Sequence, residues 1–195
     1  MHLLYARFFW KVARDLGYVA GNEPFLRLFN QGHIIAGKAK MSKSRGNVIT
    51  PDEYVDRLGA DTVRSYLMFM GHWDQGGEWD DSGIFGIHRW LNRVWNAISG
   101  DANTASLPDA PSTRELRRWT HKTIEKVTAD ISQFRFNTMI AALMEYTNYL
   151  TRLRESGTLI DEAAWREAQV SMVLMLAPSE PHNAEELWER IGQSY

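Results

Sequence analysis

Cysteine is absent from the 195 residues of this chain. That excludes a disulfide framework and a thiolate zinc site, and it fits a reducing cytoplasm, the expected location. No apolar run is long enough to cross a bilayer, so no membrane partner is expected. The opening residues, Met1 to Trp10, lack the basic segment, apolar stretch and small-residue cleavage site of a signal peptide. Positive charge is not in excess either. The formal net charge is -2, so no global field recruits nucleic acid, and any RNA contact must come from local patches. The histidines His33, His72, His88, His121 and His182 show no metal-ligand spacing, and no metal site is expected. Repeats and low-complexity tracts are missing too. What remains is 44% hydrophobic and 24% charged, a balance that suits a soluble globular protein of one or two domains. Eight tryptophans point to a large aromatic core.

The most informative stretch is Lys40-Met41-Ser42-Lys43-Ser44, which follows Gly37-Lys38-Ala39 and runs into Arg45-Gly46-Asn47. Lys38, Lys40, Lys43 and Arg45 crowd one short loop, with two hydroxyls between them and Gly46 available for a tight bend. Such a loop can neutralise a triphosphate and follow its charge as pyrophosphate leaves. The plainer alternative is a solvated basic loop that binds nucleic acid loosely.

Around this loop the pattern is mainly helical. Tyr5, Phe8, Phe9, Val12 and Leu16 recur at helical spacing, with Gly17 where the helix would end. So apolar a helix is expected to pack against something upstream. Phe25 to Phe29 read as a short helix after Pro24. His33 to Ala36 form a candidate strand, with Ala39 to Met41 returning. Thr50-Pro51-Asp52-Glu53 reads as a capping box that opens a helix ending near Gly59. Asp61 is expected to cap the next, with Val63, Leu67 and Met70 on one face. Gly71 to Gly83 read as a loop, and a boundary between two units is placed at 80/81. Beyond it, three apolar stripes, Ile84 to Ile98, Leu116 to Ile131 and Phe136 to Leu150, predict long helices. Val170 to Ala177, apolar almost all round, predicts a segment buried at the bundle centre. Pro178 and Pro181 break the chain before a last short helix, Ala184 to Ile191. The fold class is therefore mainly α: a small α/β region, residues 1–80, followed by a four- or five-helix bundle, residues 81–195.

Lys40 to Ser44 match the KMSKS signature, and the chain resembles class I aminoacyl-tRNA synthetases of the leucyl branch. His2-Leu3-Leu4-Tyr5-Ala6-Arg7-Phe8-Phe9 is similar to the helix preceding the signature loop, and Gln31-Gly32-His33-Ile34 to the strand leading into it. Gly59-Ala60-Asp61-Thr62-Val63-Arg64 resembles the helix pair that follows. Trp79 to Ile84 with Arg89 to Trp95 resemble the entry into that family's anticodon-binding bundle. Leu176-Ala177-Pro178, Pro181-His182 and Ala184 to Trp188 resemble its last helices. Ser179-Glu180 depart from the family, which has an apolar or small pair there. The family's HIGH motif, editing domain and C-terminal tRNA-binding extension have no counterpart, so the resemblance implies a middle-to-late section of a synthetase.

The resemblance implies ATP, leucine and tRNA-Leu as partners, together with the missing catalytic half. Magnesium is expected with the ATP, held mainly by phosphates and water, and no tightly bound cofactor. Carried across, Lys43 and Lys40 contact the triphosphate, with Lys43 nearer the transition-state charge. Ser42 and Ser44 bond phosphate or brace the loop around Met41. His2 aligns with a histidine near the adenylate pocket, although a solvated histidine is the plainer reading. Arg114, Arg117, Arg118 and Lys122 lie along one helix and can meet tRNA phosphates or form a solvated face. Trp90 and Trp95 can stack on bases, with core placement favoured for Trp95. Asp80 and Asp81 read as a helix cap before Ile84. The expectation is part of a leucine–tRNA ligase of protein biosynthesis, inactive alone. The alternatives are a stand-alone tRNA- or partner-binding module and an inert structural fragment. Met1, falling inside the family's motif, favours truncation.

Overall fold

The computed structural model describes residues 1–194. It divides into two compact units, the first from Met1 to Gln31 and the second beginning at Gly32.

The first unit is built on helix α1 (His2–Asp15). Gly17 ends it in the left-handed region at φ +77°. The Gly17 N–H donates to the Arg14 carbonyl and the Tyr18 N–H to the Ala13 carbonyl, both at 2.9 Å, which is the paired closure of a Schellman ending. The returning segment is tied down by Arg7, whose Nε and Nη2 each donate to Glu23 at 2.7 Å. Trp10 Nε1 adds a bond to the Gly21 carbonyl at 3.3 Å. The helix expected over Phe25 to Phe29 does not form. Five residues cannot offset helix nucleation without a surface to pack on, and Leu26 is 99% exposed. No residue of α1 is buried, and Leu4, Tyr5, Phe8, Phe9 and Leu16 all stand open.

The second unit opens with strand β1 (His33–Ala36), which turns back through Gly37-Lys38 into β2 (Ala39–Lys40). Helices α2 (Asp52–Leu58) and α3 (Ala60–Phe69) follow, joined by Gly59 at φ +85°. The chain then returns as β3 (Gly76–Glu78), giving a sheet of order β2-β1-β3 with β1 antiparallel to β2 and parallel to β3. This third strand lies inside what reads as a loop. Gly-Gly-Glu has little strand propensity, but a Cβ on Gly76 would run into the backbone of His33, so close approach requires glycine here.

The bundle comprises α4 (Asp81–Ser99), α5 (Pro111–Ser132), α6 (Phe136–Glu155), α7 (Glu162–Leu176) and α8 (Pro181–Arg190). A short parallel pair, β4 (Thr104–Ala105) and β5 (Ile160–Asp161), joins the two long connections. The stripes read from the sequence supply the core: Ile84, Ile87, Leu91, Val94 and Ile98 from α4, Leu116 and Val127 from α5, Met139, Ile140, Leu143 and Leu150 from α6. Val63 and Tyr66 of α3 join the same cluster, so α3 is packed into the bundle core.

Local departures have clear causes. Asp80 caps α4 as expected, accepting from the Ser82 N–H at 2.9 Å. The capping box at Thr50 does not close, because Pro51 occupies the cap position of α2 and no side chain bonds there. Asp61 is not a cap of its own helix. It sits within the first turn of α3, buried, and reaches across to α8 instead. Val170 to Ala177 are not buried throughout, since Leu174 is 57% exposed on the outer face of α7. Trp90 is only 1% exposed, which removes it as a base-stacking surface. Trp95 is half-buried, with the Arg190 guanidinium 4.6 Å from its ring centre. Among the described residues no helix is long and apolar enough to cross a membrane.

Candidate polyphosphate-binding loop

The hairpin that carries the lysine loop is set by its turn. Gly37 and Lys38 both adopt left-handed backbone, at φ +59° and +60°, as a two-residue type I′ connection demands. Lys38 is an unusual residue for such a position, and its N–H is held by Glu78 Oε1 of β3 at 2.9 Å. After β2 the chain makes one 3-10 turn over Lys43–Arg45. The Arg45 N–H donates to the Ser42 carbonyl at 3.0 Å and the Gly46 N–H to the Lys43 carbonyl at 3.2 Å. Gly46, at φ +66°, makes the bend.

Asn47 staples the loop shut. Its Oδ1 accepts from the Ser42 N–H at 2.9 Å, while its Nδ2 donates to the carbonyls of Ala36 and Lys40, each at 3.3 Å. Ser42 and Ser44 bond each other through their hydroxyls at 2.8 Å, so they brace the loop. The backbone is thus fixed from within. By contrast Lys38, Lys40, Lys43 and Arg45 are all exposed, and no ion pair among the described residues engages them. A fixed frame that aims uncompensated cations outward suits an anionic ligand with several phosphates. Asn47 carries no charge and escapes a reading that looks for cations. Its position directly after Arg45-Gly46, where an Asn side chain commonly closes a turn on the backbone, was the available signal. Substituting Asn47→Ala is expected to leave the bundle intact and to free the loop, seen as faster exchange of the Ser42 amide by NMR. An unchanged Ser42 amide would remove Asn47 from this role.

The other residues singled out from the sequence lie elsewhere. His2 belongs to the first unit, exposed at the start of α1, where it lines a cavity of about 500 Å³ with Leu3, Arg7, Glu23 and Phe25. Arg114, Arg117, Arg118 and Lys122 do lie on one helix, α5, but two of the four, Arg117 and Arg118, are paired with carboxylates. Arg117 Nε is 3.3 Å from Glu167 on α7. Arg118 forks onto Glu115 at 2.9 and 2.7 Å, and that contact holds the Glu115 carboxyl below its ordinary range. Arg114 donates to the Asp109 carbonyl at 2.8 Å, and Lys122 lies over the Trp119 ring at 5.8 Å. Among the described residues no group of carboxylates and histidines is arranged to hold a metal ion.

A family model described as the anticodon-binding domain of tRNA ligase matches residues 113–195. A second, described as tRNA synthetases class I (I, L, M and V), matches residues 7–78. The leucine--tRNA ligase of Dehalococcoides mccartyi is 52% identical over 195 residues, covering 100% of this chain and 24% of the relative. That of Rubrobacter xylanophilus is 53% identical over 196 residues, covering 100% of this chain and 23% of the relative. The LeuRS of Agrobacterium radiobacter K84, solved as a ternary complex with tRNA and LeuAMS, superposes with a TM-score of 0.81 at 35% identity. It is matched over 100% of this chain and 26% of its own. The chain thus spans about a quarter of the length of the relatives it matches.

Proposed function

Because the chain belongs to the leucine–tRNA ligase family and spans about a quarter of its relatives, we propose that it is the section of such an enzyme carrying the polyphosphate loop and the tRNA-binding bundle. Residues 1–80 then close the catalytic domain and residues 81–195 form the bundle. In the complete enzyme, leucine attacks the α-phosphorus of ATP, pyrophosphate leaves, and the leucyl group passes from the adenylate to the end of tRNA-Leu. The loop's part is electrostatic. Lys43, and with it Lys40, meets the triphosphate and follows the charge that accumulates on pyrophosphate, while Mg2+ arrives as part of the ATP complex. His2 lies on the leucyl-adenylate side, and Arg114, Arg117, Arg118 and Lys122 contact tRNA phosphates. The cytoplasm is the compartment such an enzyme works in.

The observation that carries this reading is the loop itself: cations with no ion-pair partner among the described residues, on a backbone stapled by Asn47. One loop does not make an adenine pocket, so this chain alone is expected to be inactive. The apolar residues that α1 leaves exposed support that view, since a cluster of exposed apolar side chains suits a helix that packs against a neighbour. Leucine-dependent ATP–pyrophosphate exchange tests it, measured with this chain alone and mixed with a separately expressed remainder bearing the HIGH motif. Exchange in the mixture only is the expected result. No exchange from two well-folded halves, with tRNA binding by this chain retained, would favour a stand-alone binding module instead.

A further inference from the structure

The turn between α7 and α8 buries a carboxyl group that the proposed chemistry does not use. Ser179 and Glu180 are both 0% exposed, as is Ser65 on α3, and Asp61 is 3% exposed. Three residues of α3 at helical spacing, Asp61, Arg64 and Ser65, face this turn together. Arg64 donates through Nε to the Ser179 carbonyl and through Nη2 to the Pro178 carbonyl, both at 3.0 Å. Ser65 Oγ bonds Glu180 Oε1, and Ser179 Oγ lies 2.7 Å from Glu180 Oε2. Asp61 reaches the first turn of α8: its Oδ2 accepts from the Asn183 N–H at 2.7 Å and Nδ2 at 2.9 Å, and its Oδ1 lies 2.8 Å from His182 Nδ1.

We infer that these contacts form a proton-controlled joint between α3 and the α7–α8 turn, closed when the buried Glu180 carboxyl holds its proton and loosened when it ionises. The geometry carries this. Glu180 has two hydroxyls for partners and no cation among the described residues. The charged groups that face it are Asp61 and Arg64 of α3, with His182 of α8 held on Asp61. The guanidinium of Arg64 is committed to the two carbonyls, and Asp61 adds charge of the same sign. The buried side chains of α4 and α7 are all apolar. A buried carboxylate with no counter-ion is the arrangement that favours the neutral acid. Burial pushes Glu180 from 4.5 up to about 7, with the two serines and Arg64 opposing and Asp61 assisting.

The sign follows. Between 4.5 and about 7 the closed joint keeps a proton that the opened joint has already released. Closure therefore weakens roughly tenfold per pH unit through that window and no further above it. Hydrogen–deuterium exchange of the chain, corrected for intrinsic rates, reads this directly. Amides of α3 and α8 should lose roughly a hundredfold in protection as pH rises from about 5 to about 8, with α5 and α6 steady. Glu180→Gln, which cannot ionise, should abolish the loss. An equal loss in Glu180→Gln, or one spread evenly over α5 and α6, would overturn the joint. Should that variant not fold, carbon-13 NMR of the glutamate side chains in the unmodified chain decides. One carboxyl titrating near neutrality is expected, and all of them titrating in the ordinary carboxylate range would refute it.

Discussion

Replacing Lys43 by alanine will lower leucine-dependent ATP–pyrophosphate exchange by about a hundredfold or more, in the complete enzyme or in reassembled halves. The structure isolates what is being removed. Lys43 opens the 3-10 turn, but the turn is closed by backbone bonds, by Asn47 and by the Ser42–Ser44 pair. None of these involves the lysine side chain. The variant should keep its fold and lose only a charge. If that charge acts chiefly on the departing pyrophosphate, the loss falls on kcat more than on KM for ATP. Lys43→Arg should recover part of the rate, since it restores charge without the compact ammonium. Lys40 ends β2 and should give a smaller loss. A rate like the parent's for Lys43→Ala would remove Lys43 from the chemistry.

The largest effect on stability is expected from Trp90→Ala. Trp90 is the bulkiest fully buried side chain, 1% exposed, and its Nε1 donates to Thr147 Oγ1 at 3.1 Å between α4 and α6. Thr147 Oγ1 in turn donates to the Leu143 carbonyl at 2.7 Å. Truncation removes the apolar contact and leaves a cavity, a loss of about 3–5 kcal/mol. For a chain of this size that is a fall in Tm of roughly 10 °C. Denaturant unfolding of both forms checks it. Trp90→Phe should lose considerably less, because most of the ring volume remains. A loss under about 1 kcal/mol for the alanine variant, typical of a surface site, would mean that Trp90 is not a keystone of this core.

These two residues show how unevenly the sequence discloses the structure. Periodicity finds helices whose stripes are long: Ile84 to Ile98 and Phe136 to Leu150 supply the core as read, with Trp95 and Phe136 half-buried at its edge. It does not find β3, because a strand of Gly-Gly-Glu is made by its neighbour's backbone and not by its own side chains. The same reading extends a helix over Phe25 to Phe29, where composition is apolar but Phe25, Leu26 and Leu28 stand exposed. In the loop, cations declare themselves by charge, whereas Asn47 acts by geometry and is silent in a composition count. Asp61 illustrates a second kind of silence. A carboxylate near a helix start reads as a local cap, and only the fold reveals that the helix it serves is α8, far along the chain. Ser179-Glu180 are visible as an oddity between two prolines, but that the pair is sealed from water depends on α3 lying over it.

The parallel pairing of β1 with β3 has a consequence for how the protein is made. The strand that leads into the lysine loop waits for a partner lying beyond two helices, His33 opposite Gly76 and Ile35 opposite Glu78. A chain emerging from the ribosome can form the β1–β2 hairpin early, from local contacts alone. The carboxylate that holds Lys38 arrives only with Glu78. Pairings so distant along the chain form slowly, and N-terminal segments emerge first during synthesis. The lysine loop can therefore close early on its own local bonds, and what is settled late, after α2 and α3 have been laid down, is its docking against β3.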